Sequence, residues 1–405
     1  MKSNDFGLTK EDIMEISDKY LLDIGYHFPI VIEDAKGCYV TDTNGDQYLD
    51  FYAGIAVNSL GNCNPRIVDA VKEQAEQVMH VSLYPYNVPQ AMLAKLICET
   101  TGFDRVFFQN SGTEANEAMI KMARKYGVEN FGPDHFEIIT AKKSFHGRTY
   151  ASLTATGQPD TAIQAGFYPN LPGFKYAEYN NIESFREAVT ENTVAIMVEP
   201  VQGEGGVYPA TKEFLQGLRD LCDEKGLLLL FDEVQTGWFR CGEAMAFMHY
   251  GVKPDAFTMA KALGGGLPLG GVVLTEKCAK ILNPGSHGCT FSGNPVCCAA
   301  GYAAITCMIE EKCGENAKEI GAYFMEQLKT LPHVKEVRGL GLLVGVEFTD
   351  VDAVEVKVKA MEHKLLVTAT SNRIVRMVPP LIITKEDCDK AVAILKESVE
   401  EVLSY

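Results

Sequence analysis

Short apolar runs alternate with helical patterns through the middle of the chain. The apolar runs lie at 105–109, 136–140, 194–198, 227–231, 256–259 and 271–274. Helical spacing marks the segments between them, including 111–126, where Ser111 and Glu114 form a capping-box pattern, and 213–226, which ends at Gly226. Strands that alternate with helices predict a mainly parallel sheet that is covered on both faces.

The pattern changes at both ends of the chain. Residues 34–53 predict a hairpin with Asn44-Gly45 at its turn, and strand patterns after 335 are followed by a helix over 385–403. We therefore expect an α/β fold in three parts. These are an N-terminal segment that belongs to the smaller domain, a large domain and a C-terminal small α+β domain, at 1–65, 66–305 and 306–405.

Composition and charge narrow the class of function. The 405 residues are 46% hydrophobic and 22% charged, which is typical of a soluble globular protein. The formal charge of −17 argues against nucleic-acid or anionic-membrane partners, because both require basic patches. The polar N-terminus lacks a signal peptide's apolar segment, and no run of 18 apolar residues occurs. We expect a soluble cytoplasmic protein.

Cysteine and histidine spacing gives no support to a metal site. The 12 cysteines include no CxxC pair, and the 8 histidines form no HExxH motif. The expectation is buried thiols in a reducing compartment and no bound metal.

The most apolar run ends at two acids, Asp232 and Glu233. Desolvating a carboxylate is costly, so an acid at the end of a buried strand needs a compensating partner. Ligands of open α/β sheets bind beyond the carboxyl ends of the strands. Asp232 has this position, and so do 110–113, Glu199 and Lys261.

Two further segments complete a chemical pattern with Asp232. Gly112 and Thr113 begin a helix directly after a strand. Close backbone approach, a hydroxyl and free N–H groups favour a phosphate there, although an ordinary capped helix has the same sequence pattern. Lys261 lies between apolar segments, where desolvation lowers the pKa of an amine and makes it a nucleophile. A phosphate cradle, a strand-end acid and a sequestered lysine are the parts that hold pyridoxal phosphate.

The segment 143–157 offers groups for a flat ring and for a substrate. Phe145 or His146 could stack on the ring, with ordinary core packing as the alternative. Arg148 could bind a substrate carboxylate through two hydrogen bonds.

Several motifs, in order along almost the whole chain, resemble those of the class III pyridoxal-phosphate aminotransferases. They are YLDFYAGIAVNSLGNCNP, VFFQNSGTEANEA, SFHGRTYASLTATGQP, VEPVQGEGGV, LCDEKGLLLLFDEVQTG, KALGGGLPLGG, GCTFSGNPV and RMVPPLIIT. The resemblance implies the type I fold of pyridoxal-phosphate transferases, with a mostly parallel seven-stranded sheet, and pyridoxal 5′-phosphate as cofactor. Within the family, the chain is most similar to members that move the δ-amino group of N2-acetyl-L-ornithine to 2-oxoglutarate in arginine biosynthesis.

The resemblance also implies which residues hold the cofactor. Lys261 would bond to it and shuttle a proton, Asp232 would pair with its ring nitrogen, and Gln235 would contact its ring hydroxyl. The remaining cofactor contacts implied are the phosphate ligands Gly112 and Thr113, the stacking ring of Phe145, and Thr290. Thr290 would reach the cofactor phosphate of the neighbouring subunit, which implies a homodimer with shared active sites.

The resemblance also implies that two arginines bind the substrates and that a glutamate controls access to one of them. Arg148 and Arg376 would bind carboxylates, and Glu204 would pair with Arg376 while the amino donor is bound. The donor and the dicarboxylate acceptor need different sites, which an arginine–glutamate pair that opens can provide.

Some positions depart from the family pattern. Asn62 and Asn64 stand where the family usually has histidines, and Trp238 and Phe239 are bulky where it has small or sulfur-containing residues. Cys289 replaces a hydroxyl that can touch the substrate in the family. These departures leave the donor open among acetylornithine, ornithine, succinylornithine and 4-aminobutyrate.

Two other classes of function fit less well. The glycine run 339–345 invites a nucleotide-dependent oxidoreductase, but its spacing is G-x-G-x-x-x-G and no βαβ unit follows. A protein that holds the cofactor without turnover is the other alternative, and the presence of Lys261 argues against it.

Overall fold

The computed structural model describes residues 1–25 and 27–404. The strands are β1 (Ile32–Lys36), β2 (Tyr39–Asp42), β3 (Gln47–Asp50), β4 (Arg105–Gln109), β5 (Glu137–Ala141), β6 (Phe174–Ala177), β7 (Thr193–Val198), β8 (Val201–Gln202), β9 (Tyr208–Pro209), β10 (Leu228–Asp232), β11 (Ala256–Met259), β12 (Gly270–Leu274), β13 (Val334–Leu340), β14 (Leu343–Phe348), β15 (Leu365–Leu366), β16 (Thr368–Ser371) and β17 (Ile374–Met377). The helices are α1 (Ser3–Phe6), α2 (Lys10–Tyr20), α3 (Ala53–Ala56), α4 (Pro65–Gln77), α5 (Val88–Thr101), α6 (Gly112–Phe131), α7 (Tyr150–Ala155), α8 (Ile182–Ala188), α9 (Lys212–Lys225), α10 (Ala246–Tyr250), α11 (Glu276–Ala279), α12 (Pro295–Glu310), α13 (Cys313–Leu328), α14 (Ala353–Glu362) and α15 (Lys385–Leu403).

The central part of the chain forms a seven-stranded sheet with the order β4-β12-β11-β10-β7-β5-β6. Strand β12 is antiparallel to both of its neighbours, and the other paired strands are parallel. β12 is reversed because only the short segment 260–269 joins it to β11, whereas a parallel crossover needs a dozen or more residues. The prediction of a mostly parallel seven-stranded sheet is confirmed.

The central strands β7 and β10 are buried along their whole length. Alternate side chains point to opposite faces, so Leu228 and Leu230 pack in one apolar cluster while Leu229 and Phe231 pack in another. This double burial explains the continuous apolar run, and it delivers Asp232 to the carboxyl edge of the sheet.

Two smaller sheets are built from the ends of the chain. One has the order β1-β2-β3-β15, in which Leu365 of the C-terminal part pairs with Leu49 in parallel, and the other has the order β13-β14-β17-β16. The predicted N-terminal hairpin is the antiparallel pair β2–β3, and Gly45 in its turn has a φ of +85°. The domain boundaries near 65 and 305 stay a prediction.

The twelve cysteines are free thiols, and most of them are buried. Within the described ranges, none of the helices combines the length and the apolar character that crossing a bilayer requires.

Candidate active site

A cavity of about 450 Å³ opens beyond the carboxyl ends of the parallel strands. Eight of the eleven predicted site residues line it: Gly112, Thr113, Phe145, Arg148, Glu204, Asp232, Gln235 and Lys261. Arg376 lies directly behind Glu204, whereas Cys289 and Thr290 lie on a segment outside the cavity lining.

Asp232 is only 4% exposed, and three donors hold its carboxylate. Oδ2 lies 2.7 Å from Asn116 Nδ2 and 2.8 Å from His146 Nδ1, while Oδ1 accepts from the Val234 N–H at 3.0 Å. The Thr258 hydroxyl lies 3.4 Å from Oδ1 and donates to Asn116 Oδ1 at 2.8 Å, which orients the Asn116 amide toward Asp232. Hydrogen bonds to the charged form replace the water that the carboxylate loses on burial. The sequence did not identify Asn116 or Thr258, and it offered His146 only as a stacking ring.

The second acid of the pair, Glu233, binds the start of helix α10 and, in the described part of the chain, does not line the cavity. Its carboxylate accepts from the Thr236 hydroxyl at 2.5 Å and from the N–H groups of Ala246 and Phe247 at 2.9 and 2.8 Å. The Glu233 carboxylate therefore caps the first turn of α10. Burial raises the pKa of Glu233 to about 7, and the three donors oppose that rise.

Lys261 lies one residue beyond the end of β11, after Ala260, and has a φ of +45° at the start of a 3₁₀ turn, Lys261–Gly264. Burial lowers the pKa of its amine to about 8, although Glu204 opposes the shift. The sequence shows no charged residue near Lys261, but the fold brings Glu204, Arg376 and Asp232 close enough to influence it. The predicted desolvated amine is therefore present beside a cluster of charges.

The first turn of α6 is shaped for close approach. Ser111 caps the helix, since its hydroxyl accepts from the Glu114 N–H at 3.3 Å, while the Glu114 carboxylate accepts from the Asn110 N–H at 2.8 Å. A Cβ on Gly112 would lie 2.7 Å from Val234 Cγ1, so only glycine fits there.

The loop that follows β5 packs against this helix start. Thr113 Oγ1 accepts from the N–H groups of Arg148 and Thr149 at 3.2 Å each. Gly147 has a φ of +136°, and a Cβ on it would lie 2.3 Å from Thr113 Oγ1. The segment that carries Phe145 and Arg148 is thus fixed to the helix that opens the cavity.

Phe145 and Arg148 are placed together on this loop. The Phe145 N–H donates to Glu199 Oε1 at 3.0 Å, and the Arg148 guanidinium lies 5.5 Å from the centre of the Phe145 ring. Glu199 is buried, and burial together with the charge of Asp232 raises its pKa well above the ordinary value. Glu199 therefore holds the backbone of Phe145 at the cavity wall.

Arg376, Glu204 and Gln235 form a connected group at the other side of the cavity. Arg376 Nη1 donates to Glu204 Oε1 at 2.5 Å, and Gln235 Nε2 donates to the same oxygen at 3.0 Å. Burial raises the pKa of Glu204, but Arg376 and Lys261 outweigh it and leave the pKa at about 2. The pair that was expected to act as a gate is therefore closed and ionised in this structure.

The residues that depart from the family pattern lie in different parts of the structure. Trp238 is 1% exposed and belongs to the main apolar cluster, and residues 238–241 are not among the described residues that line the cavity. Trp238 therefore packs in the core and Phe239 is partly buried, and the choice of donor that these departures leave open stays a prediction. Cys289 remains near the site, since its Sγ accepts from Asn110 Nδ2 at 3.0 Å.

Asn62 and Asn64 also have structural partners. Asn62 Nδ2 donates to Asp50 Oδ2 at 3.1 Å, and the side chain of Asn64 caps α4 by accepting from the Arg66 N–H at 3.0 Å. Asn62 therefore holds the Asp50 side chain, and Asn64 holds the first turn of α4.

The residues around the cavity match a particular kind of ligand. An acid held by three hydrogen bonds, an amine with a lowered pKa and the N-terminus of the 20-residue helix α6 border the same space. A basic ring nitrogen, an aldehyde and a phosphate are the groups that such a set would bind. The site therefore fits pyridoxal phosphate.

The family profile described as Aminotransferase class-III matches residues 23–399. The chain belongs to the class-III aminotransferases. Members of this family depend on pyridoxal phosphate, which is therefore the cofactor of this aminotransferase. The predictions of family, fold and cofactor are confirmed.

Relatives of this class-III aminotransferase cover it almost completely. It is 47% identical over 401 residues to the acetylornithine aminotransferase of Methanocaldococcus jannaschii, covering 98% of this chain and 100% of the relative. The ornithine aminotransferase of Toxoplasma gondii superposes with a TM-score of 0.94 at 34% identity, covering 99% of this chain and 97% of that one. The acetylornithine aminotransferase of Elizabethkingia anophelis superposes with a TM-score of 0.86 at 32% identity, covering 97% and 100%.

Proposed function

We propose that this aminotransferase moves the δ-amino group of N2-acetyl-L-ornithine to 2-oxoglutarate, giving N-acetyl-L-glutamate 5-semialdehyde and L-glutamate, as a step of arginine biosynthesis. Relatives that share 41–47% identity over nearly their whole length are acetylornithine aminotransferases, which supports this donor. The observation that carries the proposal is the Glu204–Arg376 pair opposite Arg148, because it suits a site that alternates between two unlike substrates.

The residues of this chain divide the work around the cofactor. When bound, pyridoxal phosphate supplies an aldehyde that takes up the amino group and a ring that withdraws electrons. The N-terminus of α6 with Gly112 and Thr113 would bind the phosphate, and Asp232 would keep the ring nitrogen protonated.

Three more residues would complete the contacts and move the proton. Gln235 would contact the ring hydroxyl, and Phe145 would cover one face of the ring. Lys261 would bond to the cofactor when no substrate is present. Once released, its amine, with a pKa of about 8, would accept and return a proton near neutral pH.

The two arginines would distinguish the substrates by their carboxylates. The donor and the acceptor both carry one carboxylate distant from the reacting atom, and Arg148 would bind it in each case. The acceptor carries a second carboxylate next to the reacting carbon, and Arg376 would bind that one after it leaves Glu204. A permanently free Arg376 would favour the acceptor alone, so Glu204 keeps the site usable by the donor.

The proposal includes a homodimer with shared active sites. Thr290 is exposed and stands outside the lining of the cavity in its own chain, which supports a contact with the cofactor of a neighbouring subunit. We also propose that the enzyme works in the cytoplasm. A net charge of −17 supports the absence of nucleic-acid and anionic-membrane partners, because both require basic patches.

A donor panel tests the proposal. Purified enzyme is assayed with 2-oxoglutarate and with N2-acetylornithine, ornithine, N2-succinylornithine or 4-aminobutyrate, and kcat/KM is compared. N2-acetylornithine is expected to give the highest value. A higher kcat/KM for any other donor would overturn the assignment. Lys261→Ala, checked for folding by circular dichroism, is the control that should lose turnover with every donor.

A further inference from the structure

Two arginines lie in one row across the sheet β13-β14-β17-β16. Arg338 on β13 pairs with Gly345 on β14, and Gly345 pairs with Arg376 on β17. Residues that pair directly in an antiparallel sheet place their side chains on the same face. The two guanidinium groups therefore leave the same face of the sheet, with a residue that has no side chain between them.

The hairpin β8–β9, which carries Glu204, lies on this row. Arg376 Nη1 donates to the Gly203 carbonyl at 3.1 Å as well as to Glu204, and Arg338 Nε donates to the Gly206 carbonyl at 3.0 Å. The tip of the hairpin, residues 203–207, is thus held at one end by Arg376 and at the other by Arg338.

The glycines at this contact are required by the close approach. Gly206 has a φ of +118°, and a Cβ on it would lie 2.8 Å from Tyr208 Cε2. A Cβ on Gly345 would lie 3.0 Å from Val207 Cβ. The hairpin tip and the arginine row therefore fit each other along their length.

The hold that Arg338 exerts does not depend on substrate. Its side chain is 7% exposed, its Nη1 donates to Glu336 and Glu347 at 2.7 Å each, and its guanidinium lies 4.0 Å from the centre of the Tyr208 ring. The largely buried carboxylate of Glu347 already compensates its charge, so the group does not need to turn toward Glu204 or toward a ligand. Arg376, by contrast, must exchange Glu204 for the carboxylate of the acceptor.

We propose that Arg338 is a positioning residue that keeps Glu204 facing Arg376, so that the gate closes again each time a dicarboxylate leaves. This inference rests on the proposed function, in which the site alternates between a donor that needs the gate closed and a dicarboxylate that opens it. When Arg376 binds the dicarboxylate, the tip loses the contact between Glu204 and Arg376 and retains the Arg338–Gly206 bond. The tip then remains beside Arg376 and does not drift into the cavity.

The two half-reactions, measured separately by rapid mixing, test the inference. Arg338→Met keeps the apolar stem and removes the donor to Gly206. In this variant, kcat/KM for the amino donor is expected to fall about tenfold, because Arg376 is less often paired with Glu204. The value of kcat/KM for L-glutamate is expected to stay within about twofold of the parent. An equal loss in both half-reactions would overturn the proposal, since a merely structural defect acts on both.

Hydrogen exchange of the hairpin gives a readout that does not involve turnover. Amides of residues 203–207 are expected to exchange faster in holoenzyme carrying Arg338→Met, and unchanged exchange would contradict the inference. Arg338→Lys keeps the charge but lacks the Nε–H that reaches Gly206, so it should behave like Arg338→Met. Glu336→Gln, which alters an exposed partner of Arg338, is the matched control and should preserve both half-reactions.

A second variant covers the case in which Arg338→Met fails to fold. Gly345→Ala keeps both arginines and adds a methyl group that contacts Val207, so kcat/KM should again fall more for the amino donor than for L-glutamate. An equal fall in kcat/KM for both would reject the inference. The half-reactions use whichever donor the parent enzyme prefers. A failure of N2-acetylornithine in the donor panel would therefore refute the proposed donor and leave the role of Arg338 to be decided by its own result.

Discussion

His146 Nδ1 and Asn116 Nδ2 approach the same oxygen of Asp232, at 2.8 and 2.7 Å. A carboxylate oxygen only accepts, so Nδ1 of His146 carries the hydrogen in this contact. Among the described residues, Nε2 of His146 is buried without a hydrogen-bond partner. Two side chains from distant segments thus orient the acid that ends the most apolar strand.

His146→Leu should weaken binding of pyridoxal phosphate without unfolding the protein. The substitution removes one hydrogen bond to a charged group, and such bonds contribute about 1.5–3 kcal/mol, or about tenfold or more in the dissociation constant. Equilibrium dialysis of the cofactor-free protein, read by cofactor absorbance, measures this. His249→Leu changes an exposed histidine and serves as control. Equal cofactor affinity in the parent and His146→Leu would show that Asp232 does not need this contact.

In the cofactor-free protein, acylation of Lys261 should follow a titration centred near pH 8. Burial disfavours the ammonium form, so the free amine appears at lower pH than on an exposed lysine, whose ordinary pKa is about 10.4. Labelling between pH 6 and 11, with peptides quantified by mass spectrometry, gives the midpoint. Glu204→Gln removes a charge that raises this pKa, so the midpoint should move lower still. A midpoint near 10 in the parent would contradict the expected burial.

Glu204→Gln should also change how stability depends on pH. The pKa of Glu204 is lowered to about 2, so the ion pair with Arg376 stabilises the parent fully above pH 4.5 and progressively less as pH falls toward 2. The variant should unfold about 2 kcal/mol more easily at pH 7, because Arg376 is left buried without its carboxylate, and this deficit should shrink in acid. Urea unfolding followed by circular dichroism between pH 3 and 7 tests this. A deficit that stays constant over that range would exclude the ion pair as its source.

Gly321→Ala should destabilise the protein by about 1–3 kcal/mol. A Cβ on Gly321 of α13 would lie 2.1 Å from the Gly341 carbonyl oxygen, and backbone cannot move aside as a flexible side chain can. Gly25→Ala is the control, since a Cβ there meets nothing within 4 Å. Similar urea midpoints for the two variants would mean that α13 can move away from Gly341 without lowering the free energy of unfolding.

Six of the seven central strands were predictable because each is a continuous apolar run. The seventh, β6 (Phe174–Ala177), was missed because it has only four residues and Lys175 interrupts its apolar positions. The reversal of β12 was not visible either, since direction depends on how the connecting segment folds.

The site was predictable where its chemistry is local in sequence. Gly112, Thr113, Asp232 and Lys261 each follow an apolar run, which the alternating pattern exposes. Asn116 and His146 lie 116 and 86 residues from Asp232, and only the order of strands β5, β7, β10 and β11 brings them together. Burial of Trp238 likewise depends on packing between distant segments, so the sequence alone did not show that this residue lies in the core.

Trp238 also gives the protein an intrinsic optical probe. It is the sole tryptophan, it is almost fully buried, and it lies three positions beyond Gln235 in the chain. Its fluorescence reports on one location, between the cavity wall and the core, without any label. Quenching by a bound chromophore and a red shift on unfolding would both be read from this single indole, so cofactor occupancy and integrity of the fold can be followed in the same sample.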